Sequence, residues 1–151
     1  MKKIYFLIFL FFLISTSSCK KDNLIIIEGV ESISFDCFKP ITEHQVINNS
    51  DEYSALLDEY RDYTQNCLTY FSPKIDFTEK TLLGQRITVT ACNVSSVSEV
   101  FADPDQKQYI YQLQVNLEGT CEMLFDKVVW IVVPKLPDNY TVAFKANYER
   151  I

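Results

Sequence analysis

Residues 109–133 read YIYQLQVNLEGTCEMLFDKVVWIVV, and the two ends of this stretch follow different rules. Over 109–117, Tyr111, Leu113, Val115 and Leu117 alternate with Gln112, Gln114 and Asn116. Side chains on a strand repeat every two residues, so this pattern predicts one face on a core and one in water. Over 128–133 (VVWIVV) the polar alternation is gone. A short run of that kind predicts a central strand covered on both faces, with a helix as the cover on one side.

Just upstream, 101–108 (FADPDQKQ) sets Pro104 between Asp103 and Asp105, the composition of a hairpin tip. Residues 82–94 (LLGQRITVTACNV) alternate with Ile87, Val89 and Ala91 on one face. Residues 24–38 (LIIIEGVESISFDCF) read as one or two strands broken at Gly29, with Ile33, Phe35 and Cys37 on an alternating face. The clearest helical pattern lies over 49–63, where Tyr53, Leu56, Leu57 and Tyr60 fall at i, i+3, i+4 and i+7. Asn49 or Ser50 can cap it, and Asp51 and Glu52 sit where the helix dipole favours negative charge. A connector follows over 73–80. Beyond VVWIVV, Pro134 and Pro137 stop the strand, and Tyr140, Val142, Phe144 and Ala146 alternate in a last one. The short connections imply antiparallel strands in meander order. The expected class is α+β, mostly β: an antiparallel sheet or sandwich with one amphipathic helix packed on it, as a single domain over 24–151.

The start of the chain sets the compartment. Residues 4–14 (IYFLIFLFFLI) are 11 apolar residues behind Lys2 and Lys3. That suits a signal-peptide core and falls short of the roughly 20 residues a membrane span needs. Residues 15–18 (STSS) then lead into Cys19-Lys20-Lys21-Asp22. The junction resembles the lipobox of bacterial lipoproteins, with Thr16 and Ser18 standing where Leu and a small residue are usual. The resemblance implies a signal peptide over 1–18, acylation of Cys19 and a lipidated tether over 19–23. It places the domain in the cell envelope, on the outer membrane, facing the periplasm or the cell surface. Several acyl chains on one residue exceed what stable attachment requires.

Loss of Lys2 and Lys3 with the signal leaves 12 basic against 20 acidic residues, a net charge of −8. Nucleic acid and an anionic membrane surface both call for a basic face, so charge recruits neither as a partner. Once Cys19 is assigned to lipid, Cys37, Cys67, Cys92 and Cys121 form an even set in an oxidising compartment. Sequence permits three pairings. Cys92 with Cys121 and Cys37 with Cys67 is the expected one, each closing a loop of about 30 residues. No pair has the spacing of a zinc or redox motif and His44 is the only histidine, so neither a metal nor a cofactor is expected.

Ile75-Asp76-Phe77, then Leu82-Leu83-Gly84, a strand, a hairpin and Val133-Pro134-Lys135-Leu136-Pro137 resemble small lipoproteins of Gram-negative bacteria. More distantly, roughly residues 50–148 resemble the C-terminal domain of the B-type family of protease-complex subunits, with Arg86-Ile87-Thr88 where that family has Gly-Gly-Tyr. The resemblance implies a fold and carries over no active site.

Isolated candidates for chemistry have plain structural readings. His44 lacks an accompanying nucleophile motif and reads as a surface residue. Asp103, Asp105 and Gln106 offer alternating oxygens as calcium loops do, but without the later Gly and Glu they read as a charged hairpin tip. Tyr60, Tyr63, Tyr70 and Phe71 cluster near the helix end and read as core. The sequons at Asn48, Asn93 and Asn139 have no use in a bacterial envelope. The expected role is non-enzymatic: a membrane-anchored domain that binds or scaffolds an envelope protein. The alternative is an inhibitor or accessory subunit of an envelope protease.

Overall fold

Strands in this chain sort into sheets by the chemistry of their faces and not by their order along the sequence. The computed structural model describes residues 23–35, 41–60 and 72–151. In chain order these form β1 (Ile25–Ile26), β2 (Glu31–Ile33), β3 (Gln45–Ile47), α1 (Ser50–Tyr60), β4 (Lys80–Thr90), β5 (Asn93–Asp103), β6 (Gln108–Glu118), β7 (Leu124–Pro134) and β8 (Thr141–Arg150). One sheet has the order β1-β5-β6-β8 and the other β2-β7-β4-β3. Among the described residues, a mostly β sandwich with a single short helix is thus the architecture the periodicity implies.

The meander order is corrected. Although β4 and β5 are joined by Ala91 and Cys92 alone, they do not pair; β4 pairs with β7 over its full length and β5 with β6. The last strand also departs from the antiparallel rule, since β8 runs parallel to β6. The reason lies in the faces. β4 carries Leu82 and Leu83 side by side, and β7 carries Trp130 to Val133, all buried. Both strands need cover on two sides, so they share the sheet that lies between the other sheet and the helix. β5 and β6 each have one polar face, which only the outer surface of the other sheet can leave in water.

Two cores result. Between the sheets pack Leu83, Ile87, Val100, Tyr111, Leu113, Val115, Ile131 and Val133. Under the helix pack Ile47, Leu56, Phe77, Leu82, Trp130 and Val132. Alternate residues of β7 thus feed different cores, as a strand without polar alternation requires. Trp130 lies across Gly84, where an added Cβ would come within 2.3 Å of the ring. Phe35 meets the same ring edge-on at 5.1 Å.

The helix begins with a reciprocal cap. Glu52 N donates to Asn49 Oδ1 at 2.8 Å, and Asn48 N donates to Glu52 Oε2 at 2.8 Å. Asn48 also accepts from Thr81 Oγ1 at 2.8 Å, which ties the cap to β4. The hairpin tip between β5 and β6 closes through Gln106 N on Asp103 Oδ1 at 3.0 Å and a left-handed Lys107. The disulfide Cys92–Cys121 joins the two passages between sheets at the opposite end, with Cα atoms 4.6 Å apart. Cys19, Cys37, Cys67, Tyr63, Tyr70, Phe71 and the signal segment lie outside the described residues.

Candidate functional site

The domain has two unlike ends. Ile25 pairs with Ala102, so Asn23 and Leu24 reach the body of the fold beside the β5–β6 hairpin. Strands of 11 residues separate that hairpin end from the end holding Cys92, Gly119 and Cys121. At about 3.3 Å per residue the separation is about 35 Å.

Towards the disulfide end the second sheet narrows. β2 stops where Ile33 meets Trp130, and β3 stops where Gln45 meets Gly84. Beyond these points, among the described residues, β4 and β7 continue as a two-stranded ribbon. Leu82, Trp130 and Val132 face the helix, so by alternation Arg86, Thr88, Asp126 and Val128 share that outer face. No described helix residue is in the way, and these side chains form a ledge.

Its centre is an ion pair. Arg86 Nε donates to Asp126 Oδ1 and Arg86 Nη2 to Asp126 Oδ2, both at 2.8 Å, in a two-pronged geometry. Thr88 Oγ1 adds a bond to Asp126 Oδ1 at 3.1 Å, and Arg86 Nη1 donates to Thr42 O at 3.3 Å. Hydrogen bonding to Arg86 holds the Asp126 carboxyl below the ordinary carboxylate range, and the same bond raises Arg86. Both groups stay charged at neutral pH. They are also a third exposed, so solvent screens the pair and its value lies in fixing geometry more than in stability.

A cleft flanks the pair on each side. On the β3 side Thr42, Glu43 and His44 face Arg86 and Thr88. His44 stacks on Phe144 of the first sheet at 4.6 Å and closes the seam between sheets; partial burial lowers its pKa. On the β2 side a cleft of about 390 Å³ runs along β7 past Ile33, Phe35, Asp126, Val128 and Trp130 to Ser96. The β7 backbone from Phe125 to Val129 has no strand partner on that side among the described residues. Such an edge can accept another chain. Behind it, Lys127 Nζ reaches Val94 O at 3.4 Å and Tyr111 Oη donates to Val129 O at 3.3 Å, bridging the two sheets. Burial pushes the Tyr111 hydroxyl up to about 12, so it serves as a neutral donor.

Of the residues singled out by sequence, Cys92 and Cys121 are bonded at the far end. His44 is exposed and lies at the rim of the ledge, with a packing role as well as a surface one. Asp103, Asp105 and Gln106 sit at the hairpin tip, remote from the ledge. Tyr60 packs against the helix core and touches Thr42 Oγ1 at 3.5 Å. Among the described residues, no group of three or more His, Cys, Asp or Glu is placed to hold a metal, and no helix is long and apolar enough to cross a membrane. The pairing of Arg86 with Asp126 was not read from sequence; the visible signal was a charged position, 86, on the face opposite Ile87, Val89 and Ala91. Comparison with known proteins finds no matching family model, no matching curated protein and no matching solved structure.

Proposed function

We propose that the chain is a lipid-anchored, non-enzymatic domain of the cell envelope, held at the outer membrane through Cys19, that binds or scaffolds another envelope protein. The anchor rests on the lipobox-like junction at residues 15–19. The observation that carries the binding role is the polarity of the fold. The chain reaches the domain at the hairpin end, whereas the ledge and the β7 edge, uncovered among the described residues, lie towards the disulfide end. A tethered domain of this shape presents its open surface away from the bilayer, where Arg86 and Asp126 offer polar recognition and the β7 backbone offers strand pairing. Leu124, 66% exposed, adds an apolar contact there.

The test is photocrosslinking in intact envelopes of the acylated full-length chain, with the crosslinking residue at Leu124 and, as a control, at Lys107 in the hairpin tip. A discrete protein adduct from Leu124, absent from Lys107 and weakened by Arg86→Gln, is expected. Equal adducts from both positions, or none from Leu124, would sink the binding role. A protease in the adduct would move the reading to an inhibitor or accessory subunit.

A further inference from the structure

The hairpin end carries an apolar strip that neither core uses. Leu24, Ile25 and Ile26 are 42%, 55% and 59% exposed. Ile26 is paired with Phe101, Phe101 with Ile110, and Ile110 with Ala143. Their neighbours Ala102, Tyr109 and Tyr111 belong to the inter-sheet core, as does the partly buried Val142. By alternation the row Ile26–Phe101–Ile110–Ala143 therefore crosses the outer face of the first sheet, with Ile26 exposed, Phe101 and Ala143 partly exposed and Ile110 buried beneath its neighbours. The next row towards the disulfide end is polar: Glu99 faces Gln112, which faces Lys145. Beyond that polar row the outer face carries one exposed apolar side chain, Val97, set opposite Gln114, so the run of adjacent apolar residues on this face lies at the end where the chain joins the domain.

We infer that this strip rests on the interface of the membrane that holds the anchor, so that the domain lies against the bilayer by Leu24, Ile26 and Phe101 and projects its disulfide end outward. The inference rests on acylation of Cys19. Two observations select a lipid surface over a protein. Cys19 precedes Leu24 by five residues, and even fully extended they span no more than about 18 Å. The strip therefore cannot leave the neighbourhood of the bilayer. Its area is also small: the exposed parts of three side chains present a few hundred Å², well under the roughly 800 Å² per partner of a stable protein interface. For a chain already tethered that area suffices to set orientation, because the anchor supplies the local concentration. The contact is apolar and does not draw on charge, in keeping with an acidic domain.

The experiment uses the full acylated chain in zwitterionic vesicles of phosphatidylethanolamine and phosphatidylcholine carrying lipids brominated near the headgroup. Fluorescence quenching is compared between Ile26→Trp and Leu124→Trp, with the signal of the buried native Trp130 subtracted. Ile26→Trp is expected to be quenched at least about threefold more strongly than Leu124→Trp, as burial at the headgroup boundary requires. Equal quenching, with Cys19 shown by mass spectrometry to be acylated in the same sample, would overturn the strip assignment and leave the anchor intact. An unmodified Cys19 would overturn both. A detergent-solubilised dimer that Ile26→Asp dissociates, without selective quenching, would give the strip to a second copy of the chain instead.

Discussion

The two halves of the second sheet are built from the same pair of strands and differ in almost everything else. In the half near the hairpin end, β4 and β7 lie between β2 and β3, with α1 on one face and the first sheet on the other. In the half near the disulfide end, among the described residues, they run as a bare ribbon whose outer face carries Arg86, Thr88 and Asp126. The change follows the side chains. Leu82, Trp130 and Val132 must be covered, while Arg86 and Asp126 satisfy each other and need no cover. A strand's surroundings are thus set turn by turn of its pleat, and one strand serves as core at one end and as surface at the other.

The contrast can be broken most strongly at Trp130. Trp130→Ala removes the ring against Gly84 and Phe35, and a loss of about 3–5 kcal/mol is expected in denaturant unfolding. Val128→Ala, two residues along the same face and only half-buried, is expected to lose about 1 kcal/mol. Equal losses would mean that the halves do not differ in cover. Next in size is the staple at the far end. The Cys92–Cys121 bridge spans 29 residues, and the double change Cys92→Ser, Cys121→Ser is expected to lower stability by about 3 kcal/mol in the chain-entropy account. Amides that exchange by global unfolding should gain together in hydrogen exchange, as an effect on the unfolded chain requires; a gain confined to the ribbon near Thr90 would assign the bridge a local role instead. Gly84→Ala tests the boundary between halves. The added methyl group meets Trp130, and about 1–3 kcal/mol of destabilisation with a shifted Trp fluorescence is expected.

The smallest effect is at the ion pair. The Asp126 carboxyl is held below its ordinary value by Arg86. Its contribution is present above the unfolded-state pKa near about 4 and is lost as pH falls through the folded value. Asp126→Asn should therefore flatten the acid limb of the stability curve: its small cost appears at neutral pH and vanishes as pH falls through the folded value. A large change at pH 7 would show that the pair is structural and not a recognition element.

Most of the fold's local content was legible. The faces of residues 109–117 and the two-sided run VVWIVV stand as the periodicity implies, and α1 begins at the cap that Asn49 provides. Cys92 and Cys121 pair as expected, out of three pairings that sequence permits. The order of strands was not legible, because two residues between β4 and β5 serve a hairpin or a passage between sheets equally well. Nor was the ledge: Arg86 and Asp126 are separated by 40 residues and meet only because Leu82 pairs with Val132 and so sets the register of β4 on β7.

The sequence by itself determined which faces are apolar, where the helix starts, the loop that Cys92 and Cys121 can close and the lipobox-like junction on which the envelope reading rests. These are properties of period, spacing and residue type, carried within one segment. Only the tertiary structure decided that strands with two apolar faces would leave their chain neighbours and pair with each other, and that their polar ends would come together as a ledge. Burial of both faces of one strand needs layers from distant parts of the chain, and no local pattern states which parts those are.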